Sequence, residues 1–148
     1  MAKIDLDSIP QTNRTGYPSP FDKDVAGRWY RRLAPASGLT DFGVSHVVLK
    51  PGAWSSQRHW HNGEDEFLVM LQGEAVLVED DGRTVLRAGD CAAWPKGGTN
   101  GHHLINESGE DCVFICVGGG TNTGGGYSDI DLMFTPDSTY VHKDGSAY

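Results

Sequence analysis

Two histidines, His59 and His61, stand two positions apart at the end of a segment that predicts a β-strand. Because side chains alternate across a strand, residues two apart project from the same face, so the two imidazoles should lie side by side. Neutral imidazole nitrogens are common ligands of divalent transition metals. The pair therefore supplies half of a metal site.

A carboxylate that completes such a site follows after a short turn. The Asn62-Gly63 pair predicts a tight connection, which places the next strand, and Glu66 at its start, beside the first strand. On a period of two, Glu66 shares its face with Leu68 and Met70, so its charge should point into an apolar interior. Burying an unpaired carboxylate is unfavourable, and a metal ion would offset that cost.

A fourth ligand is expected from a distant strand that contains two adjacent histidines. His102 shares its face with Leu104 and Asn106, whereas His103 shares the other face with Ile105. Alternation alone does not decide which of the two points inward. A lone His-x-His pair arises often by chance, so the prediction depends on the combination of imidazoles with Glu66.

Three imidazole nitrogens and one carboxylate oxygen suit Fe, Mn, Ni, Zn, Cu or Co and do not select among them. Such a set can leave open positions on an octahedral ion for catalysis. Two further polar residues, Gln57 and His46, are predicted beside the metal. Gln57 precedes His59 by two, and His46 shares a strand face with Val44 and Val48. Both either orient a substrate or bound water, or are hydrogen-bonded interior groups.

The elements that must position these residues are short strands. The chain contains 20 Gly and 7 Pro in 148 residues, with turn residues between segments of alternating pattern. The clearest unit is a hairpin, residues 74–87, which turns at Asp81-Gly82. Many short, evenly spaced strands predict an all-β fold, either a small antiparallel β-barrel or a double-sheet jelly roll.

Three parts are predicted along the chain: an extended N-terminal arm and lead-in segment (1–40), the barrel core (41–117), and a Gly-rich connector with a C-terminal segment packing on the barrel (118–148). The Pro-rich arm should cover a sheet edge or reach a partner subunit. Residues 25–33 fit either a short helix or a strand. Their arginines, at positions 28, 31 and 32, are interpreted as exposed charges balanced by acids. The Gly118–Gly126 stretch is interpreted as a flexible connector, because no phosphate-loop lysine follows it.

The composition argues against several classes of partner. A formal net charge of −8 disfavours nucleic acid and anionic membranes. Three cysteines without paired spacing favour a reducing compartment, and the N-terminus has no basic start followed by an apolar stretch. We therefore expect a cytoplasmic protein whose partner is a small molecule.

The pattern of glycines, histidines and glutamate resembles the two sequence motifs of the cupin superfamily, and specifically its small single-domain bacterial members of unassigned function. The matching positions are Gly52, His59-Trp60-His61, Glu66 and Gly73 in the first motif, and Gly89, Pro95, Gly97, His102 and Asn106 in the second. The first motif has one extra residue before His59, and the second has Gly98-Thr99-Asn100-Gly101 where two residues are common.

The resemblance implies that His59, His61, Glu66 and His102 bind one divalent metal inside a small β-barrel, with His103 facing away from it. It also implies a homodimer. Among the functions that this scaffold hosts, we expect a metal-dependent enzyme, with an Fe(II)-type dioxygenase as the preferred reaction. The alternatives are a metal-dependent isomerase or lyase of a sugar or hydroxy acid, and a non-catalytic module that binds or senses a small ligand.

Overall fold

The structure is a computed structural model that describes residues 3–148. It confirms the all-β prediction. A 3-10 helix at Leu6–Ser8 and one short helix accompany the strands. The elements are β1 (Arg28–Arg32), α1 (Leu33–Ala36), β2 (Phe42–Leu49), β3 (His59–His61), β4 (Glu64–Gln72), β5 (Glu74–Glu79), β6 (Gly82–Arg87), β7 (Cys91–Trp94), β8 (His103–Ile105), β9 (Cys112–Gly120), β10 (Gly125–Tyr127), β11 (Met133–Phe134) and β12 (Tyr140–Val141).

The strands form three antiparallel sheets. The largest has the order β1-β2-β9-β4-β7, a second has the order β12-β11-β10-β3, and the third has the order β6-β5-β8. The predicted hairpin is β5–β6, in which Glu79 pairs with Gly82 at the turn. The distant strands β2, β9 and β4 lie together, so chain segments far apart in sequence meet around one interior.

The core lies between the five-stranded and three-stranded sheets. In β4, Leu68 and Met70 are almost fully buried, whereas Phe67 and Leu71 on the other face are 42% and 49% exposed. The alternation expected from the sequence therefore holds in this strand. Each fully buried leucine or methionine contributes about 1.5–3 kcal/mol of apolar transfer free energy, which fixes the register of the strand that carries Glu66.

The N-terminal arm covers the outer edge of the largest sheet. Residues 28–32 form a strand, which resolves the choice between helix and strand. Thr12 exchanges backbone hydrogen bonds with Tyr30, and Arg31 Nε donates to the carbonyl oxygen of Ile9. The arm thus pairs with an edge strand that would otherwise expose unpaired backbone groups.

The Gly-rich stretch is not a flexible connector, and the structure corrects this interpretation. Strand β9 continues to Gly120, and β10 then pairs with β3, so that Gly125 lies opposite His61. A Cβ atom on Gly125 would stand 2.1 Å from the carbonyl oxygen of Trp60, and one on Gly126 would stand 2.5 Å from the Trp60 ring. Glycines are needed here because the strand passes so close to its neighbour.

No helix within residues 3–148 has both the length and the apolar character needed to cross a membrane.

Candidate metal centre

Three of the predicted ligands converge at one point between β3 and β4. The nearest ligand atoms of His59, His61 and Glu66 all lie within 4.8 Å of one another. The two histidine Nε2 atoms are 3.1 Å apart, and His61 Nε2 is 3.5 Å from Glu66 Oε2. The single-residue spacing in β3 and the alternation in β4 thus give the arrangement expected from sequence.

His102 lies beside this triplet and touches it through the glutamate. Its backbone forms an isolated bridge with His59, and its Nε2 atom is 2.6 Å from Glu66 Oε2. It is not a member of the 4.8 Å cluster. The structure therefore brings all four predicted side chains together, three as a compact set and the fourth against Glu66.

The partners of the two ring Nδ1 atoms fix which nitrogens face the centre. His59 Nδ1 lies 3.0 Å from the carbonyl oxygen of Gln57, which can only accept a hydrogen bond, and His61 Nδ1 lies 3.1 Å from Glu64 Oε2. These partners favour the tautomer in which each ring carries its hydrogen on Nδ1 and leaves a lone pair on Nε2. Two lone pairs and the carboxylate of Glu66 meet with no hydrogen between them, an arrangement that suits a cation.

The electrostatics also favour the forms that bind metals. Burial lowers the pKa of His59 to about 4, despite the opposing attraction of Glu66. Burial would raise the pKa of Glu66, but the hydrogen bond with His102 and the surrounding imidazoles hold it at about 2. At neutral pH His59 is thus neutral and Glu66 ionised, as metal ligands must be.

Trp94 holds the ring of His102 in place, a role that the sequence did not reveal. The indole and imidazole rings stack with centroids 3.9 Å apart and an angle of 6° between their planes. Trp94 Nε1 in turn donates to Glu79 Oε1 at 2.8 Å. Because His102 Nδ1 is buried without a hydrogen-bond partner, this stack and the contact with Glu66 are what orient the ring.

The cluster opens into a cavity of about 460 Å³, within the range typical of small-molecule sites. Apolar side chains of the core and polar groups from both ends of the chain line it. Its lining residues are Tyr17, Arg28, Tyr30, Arg32, Ser45, Val47, Ser55, Ser56, His59, His61, Glu66, Leu68, Trp94, His102, His103, Leu104, Phe114, Cys116 and Tyr140.

The two residues predicted to lie beside the metal have different positions. Gln57 is buried, and its side chain donates to Asp24 Oδ2 at 2.8 Å and to the carbonyl oxygen of Phe21 at 3.0 Å. Gln57 contacts the site through its backbone carbonyl oxygen, which lies within hydrogen-bond distance of His59 Nδ1. His46 is not among the cavity-lining residues, because strand alternation places it on the face of β2 opposite to Val47.

The adjacent histidine and the basic cluster also have defined places. His103 is 3% exposed, and its Nδ1 is 3.0 Å from the carbonyl oxygen of Ser56. Of the three arginines in β1, Arg31 pairs with Asp7 as the sequence suggested. Arg28 and Arg32 instead line the cavity, which the interpretation as balanced surface charges missed.

An antiparallel barrel with a histidine and glutamate cluster facing its interior is the arrangement of a metal-binding cupin. A family model described as "Cupin domain" matches residues 45–118. The chain belongs to the cupin family, as its sequence motifs suggested. No curated protein matches the chain.

Several solved structures are similar to this chain. A crystal structure described as a sugar phosphate isomerase from a cupin superfamily, from Silicibacter pomeroyi DSS-3, is 40% identical with a TM-score of 0.92; the match covers 99% of this chain and 96% of that one. A putative sugar phosphate isomerase from Acidithiobacillus ferrooxidans is 21% identical over 82% of this chain and 80% of that one, with a TM-score of 0.70. A Cupin 2 conserved barrel domain protein from Salinispora arenicola is 24% identical over 80% and 86%, with a TM-score of 0.57. The last two likenesses concern the fold alone.

Glu64 orients His61, and its loss should weaken metal binding. Replacing Glu64 with alanine removes the acceptor that fixes the tautomer of His61, so we expect metal affinity to fall about 10–100-fold, as is usual when such an outer partner is lost. A competition titration against a chromogenic chelator measures the change. Glu74→Ala, which removes an exposed glutamate paired with Arg87, is the matched control. Equal affinities in the two variants would show that Glu64 does not orient His61.

Proposed function

We propose that this chain is a metal-dependent isomerase that acts on a phosphorylated sugar, with His59, His61, Glu66 and His102 holding one divalent metal ion. The observation that carries the proposal is the convergence of these side chains at the wall of a cavity large enough for a sugar phosphate. The 40% identical structure described as a sugar phosphate isomerase supports the reaction class.

The reaction exchanges a carbonyl group with a neighbouring hydroxyl. A hydrogen leaves the carbon that bears the hydroxyl and is added to the former carbonyl carbon, so substrate and product contain the same atoms and electrons. No oxidant or reductant is consumed. A bound divalent metal would supply Lewis-acid polarisation of the carbonyl oxygen and so make the adjacent hydrogen more acidic.

The residues of the chain prepare the site for this chemistry. The carbonyl of Gln57 and the carboxylate of Glu64 keep the Nε2 lone pairs of His59 and His61 directed at the centre. Leu68, Leu104 and Phe114 form apolar wall beside it. An apolar wall excludes water, which strengthens electrostatic interactions within the cavity.

The sequence favoured an Fe(II)-type dioxygenase, and the similarity to an isomerase favours the alternative. Lyase chemistry remains a prediction, and so does a non-catalytic sensing role, which the experiment below separates from the isomerase. The expected homodimer, the absence of nucleic-acid and membrane partners, and the cytoplasmic location likewise stay predictions. Phe42, Phe67 and Leu71, which are exposed on the outer face of the largest sheet, support an interface there.

Proton NMR in D₂O tests the proposed reaction. The full chain is loaded separately with Fe(II), Mn(II), Co(II), Ni(II), Cu(II) or Zn(II) and incubated with a panel of pentose and hexose phosphates. We expect ketose signals to replace aldose signals with at least one metal, and Glu66→Gln to abolish the conversion. Metal-dependent oxygen uptake without isomerisation would establish the dioxygenase instead. Saturable ligand binding without turnover of any substrate would establish a sensor.

A further inference from the structure

The face of β1 that lines the cavity carries two arginines. Alternation along the strand puts Arg28, Tyr30 and Arg32 on one face, and all three line the cavity. Arg31 points the other way, where it pairs with Asp7 and donates to the carbonyl oxygen of Ile9. One face of β1 therefore carries Arg31, which binds the N-terminal arm, and the other face carries Arg28 and Arg32, which line the cavity.

Arg28 is a partly buried cation without a counter-charge. Within residues 3–148, no carboxylate oxygen lies within 4.0 Å of its guanidinium, and the same is true of Arg32. Arg28 Nη1 donates to the carbonyl oxygen of Ser55 at 2.8 Å, and its guanidinium carbon lies 5.3 Å from the centroid of the Tyr30 ring. These two contacts fix the orientation of the group. A partly buried charge held without a counter-ion is unfavourable unless a ligand supplies one.

The unused edge of this guanidinium is the edge that binds anions. Arg28 Nε is buried and has no hydrogen-bond partner, and Nη2 donates to no group of the described chain. The Nε and Nη2 hydrogens point in the same direction and can donate to two oxygens of one anion. Nη1 is already occupied by Ser55, and this bidentate edge is the part of the guanidinium that no group of the described chain uses.

Two tyrosines near Arg28 add hydroxyl donors. Tyr17 and Tyr140 line the cavity and stack on each other with ring centroids 5.5 Å apart. Burial raises the pKa of Tyr17 to about 12 and also raises that of Tyr140, while the charge of Arg28 acts on both in the opposite direction. Both hydroxyls therefore stay protonated at neutral pH. Tyr17 accepts a hydrogen bond from the backbone nitrogen of Gln57, and the hydroxyls of Tyr17 and Tyr140 both lie within hydrogen-bond reach of the Tyr127 hydroxyl.

We propose that Arg28 binds the phosphate group of the substrate through its Nε and Nη2 edge, with the hydroxyls of Tyr17 and Tyr140 beside it. Two guanidinium donors and two hydroxyls match the several oxygens of a phosphate better than the two of a carboxylate. Arg32, which is exposed, attracts the anion at the cavity mouth. This proposal rests on the proposed function, because that function supplies the identity of the remaining part of the substrate. The sugar would extend from the phosphate to the metal cluster.

Binding of inorganic phosphate to the metal-free full chain tests the subsite by isothermal titration calorimetry. We expect Arg28→Gln to raise the dissociation constant about tenfold or more, since each charge-assisted hydrogen bond is worth about a factor of ten. Arg32→Gln should raise it by a smaller factor because its charge is exposed. Arg31→Gln, the residue on the opposite face of the same strand, is the matched control and should leave phosphate binding unchanged.

Two additional arms keep the result interpretable. Arg28→Lys retains the charge but lacks the bidentate edge, so a folded Arg28→Lys variant should still bind phosphate more weakly than the wild type. Thermal unfolding of each variant confirms its fold, and Arg32→Gln gives a second reading at an exposed position. An absence of saturable phosphate binding in the wild type, an unchanged dissociation constant in folded Arg28 variants, or tighter binding of acetate than of phosphate would each overturn the proposal.

The subsite and the isomerase can fail separately. Arg28-dependent phosphate binding without isomerisation of any sugar phosphate would retain the subsite and reject the reaction. Isomerisation with the same KM in the wild type and in Arg28→Gln would retain the reaction and reject the subsite. If both hold, Arg28→Gln should raise KM for sugar phosphates with little effect on their unphosphorylated counterparts.

Discussion

Glu66→Gln is expected to lower metal affinity by more than about a hundredfold, which exceeds the usual effect of losing an outer-sphere partner. Glu66 supplies the only negative charge in the triplet with His59 and His61, and its pKa of about 2 keeps that charge at neutral pH. Glutamine has a similar shape but no charge, so the variant isolates the electrostatic contribution. Elemental analysis after dialysis, followed by competition with a chelator, measures the loss.

A control and a second ligand variant make this result decisive. Glu107→Gln removes an exposed glutamate that pairs with Arg83 and should leave metal content unchanged. His59→Ala removes a neutral ligand and should also reduce occupancy strongly. Full metal occupancy in both Glu66→Gln and His59→Ala would contradict the assignment of this cluster as a metal centre.

Gly125→Ala is expected to lower the free energy of unfolding by about 3 kcal/mol, at the upper end of the range for overpacked sites. Its Cβ would stand 2.1 Å from the backbone oxygen of Trp60, and 2.4 Å from the ring of Phe134. The backbone oxygen cannot move without displacing β3, so we also expect weaker metal binding by His59 and His61. Chemical denaturation followed by tryptophan fluorescence measures the stability.

Gly109→Ala is the matched control, because no atom lies within 4 Å of the position that its Cβ would take. We expect this change to alter stability by no more than about 0.5 kcal/mol, as for most surface substitutions. If the two variants unfolded at the same denaturant concentration, β10 would not pack against β3 as described. Residues 118–126 would then behave as the connector that their composition suggested.

The sequence predicted that His59, His61 and Glu66 come together because the information is local. His59 and His61 need only one residue between them, and Glu66 needs only a turn and one alternation. The same holds for the β5–β6 hairpin, whose turn residues and flanking strands are contiguous. His102 required the motif resemblance, since alternation alone left His103 as an equal candidate.

The contributions of β1 and β12 to the cavity could not be predicted in this way. Arg28 and Tyr140 reach the cavity because β1 joins an edge of one sheet and β12 an edge of another. No periodicity in either segment indicates which neighbour it will pair with. Arg28 appears in the sequence as one of three similar arginines, and only the position of β1 beside β2 shows which face of the strand lines the cavity. The role of the Gly-rich stretch could not be predicted either, because its glycines are required only by their close contact with Trp60 on a neighbouring strand.

The stack between Tyr17 and Tyr140 has a consequence for the order in which the protein is assembled. During synthesis the chain emerges with its N-terminal side first, and all four histidine and glutamate side chains of the centre emerge before Tyr140. The residues of the candidate metal centre are therefore all synthesised before the side of the cavity that carries Tyr140. The segment that carries Tyr140 closes that side only later, after the period in which a metal ion would have the freest access.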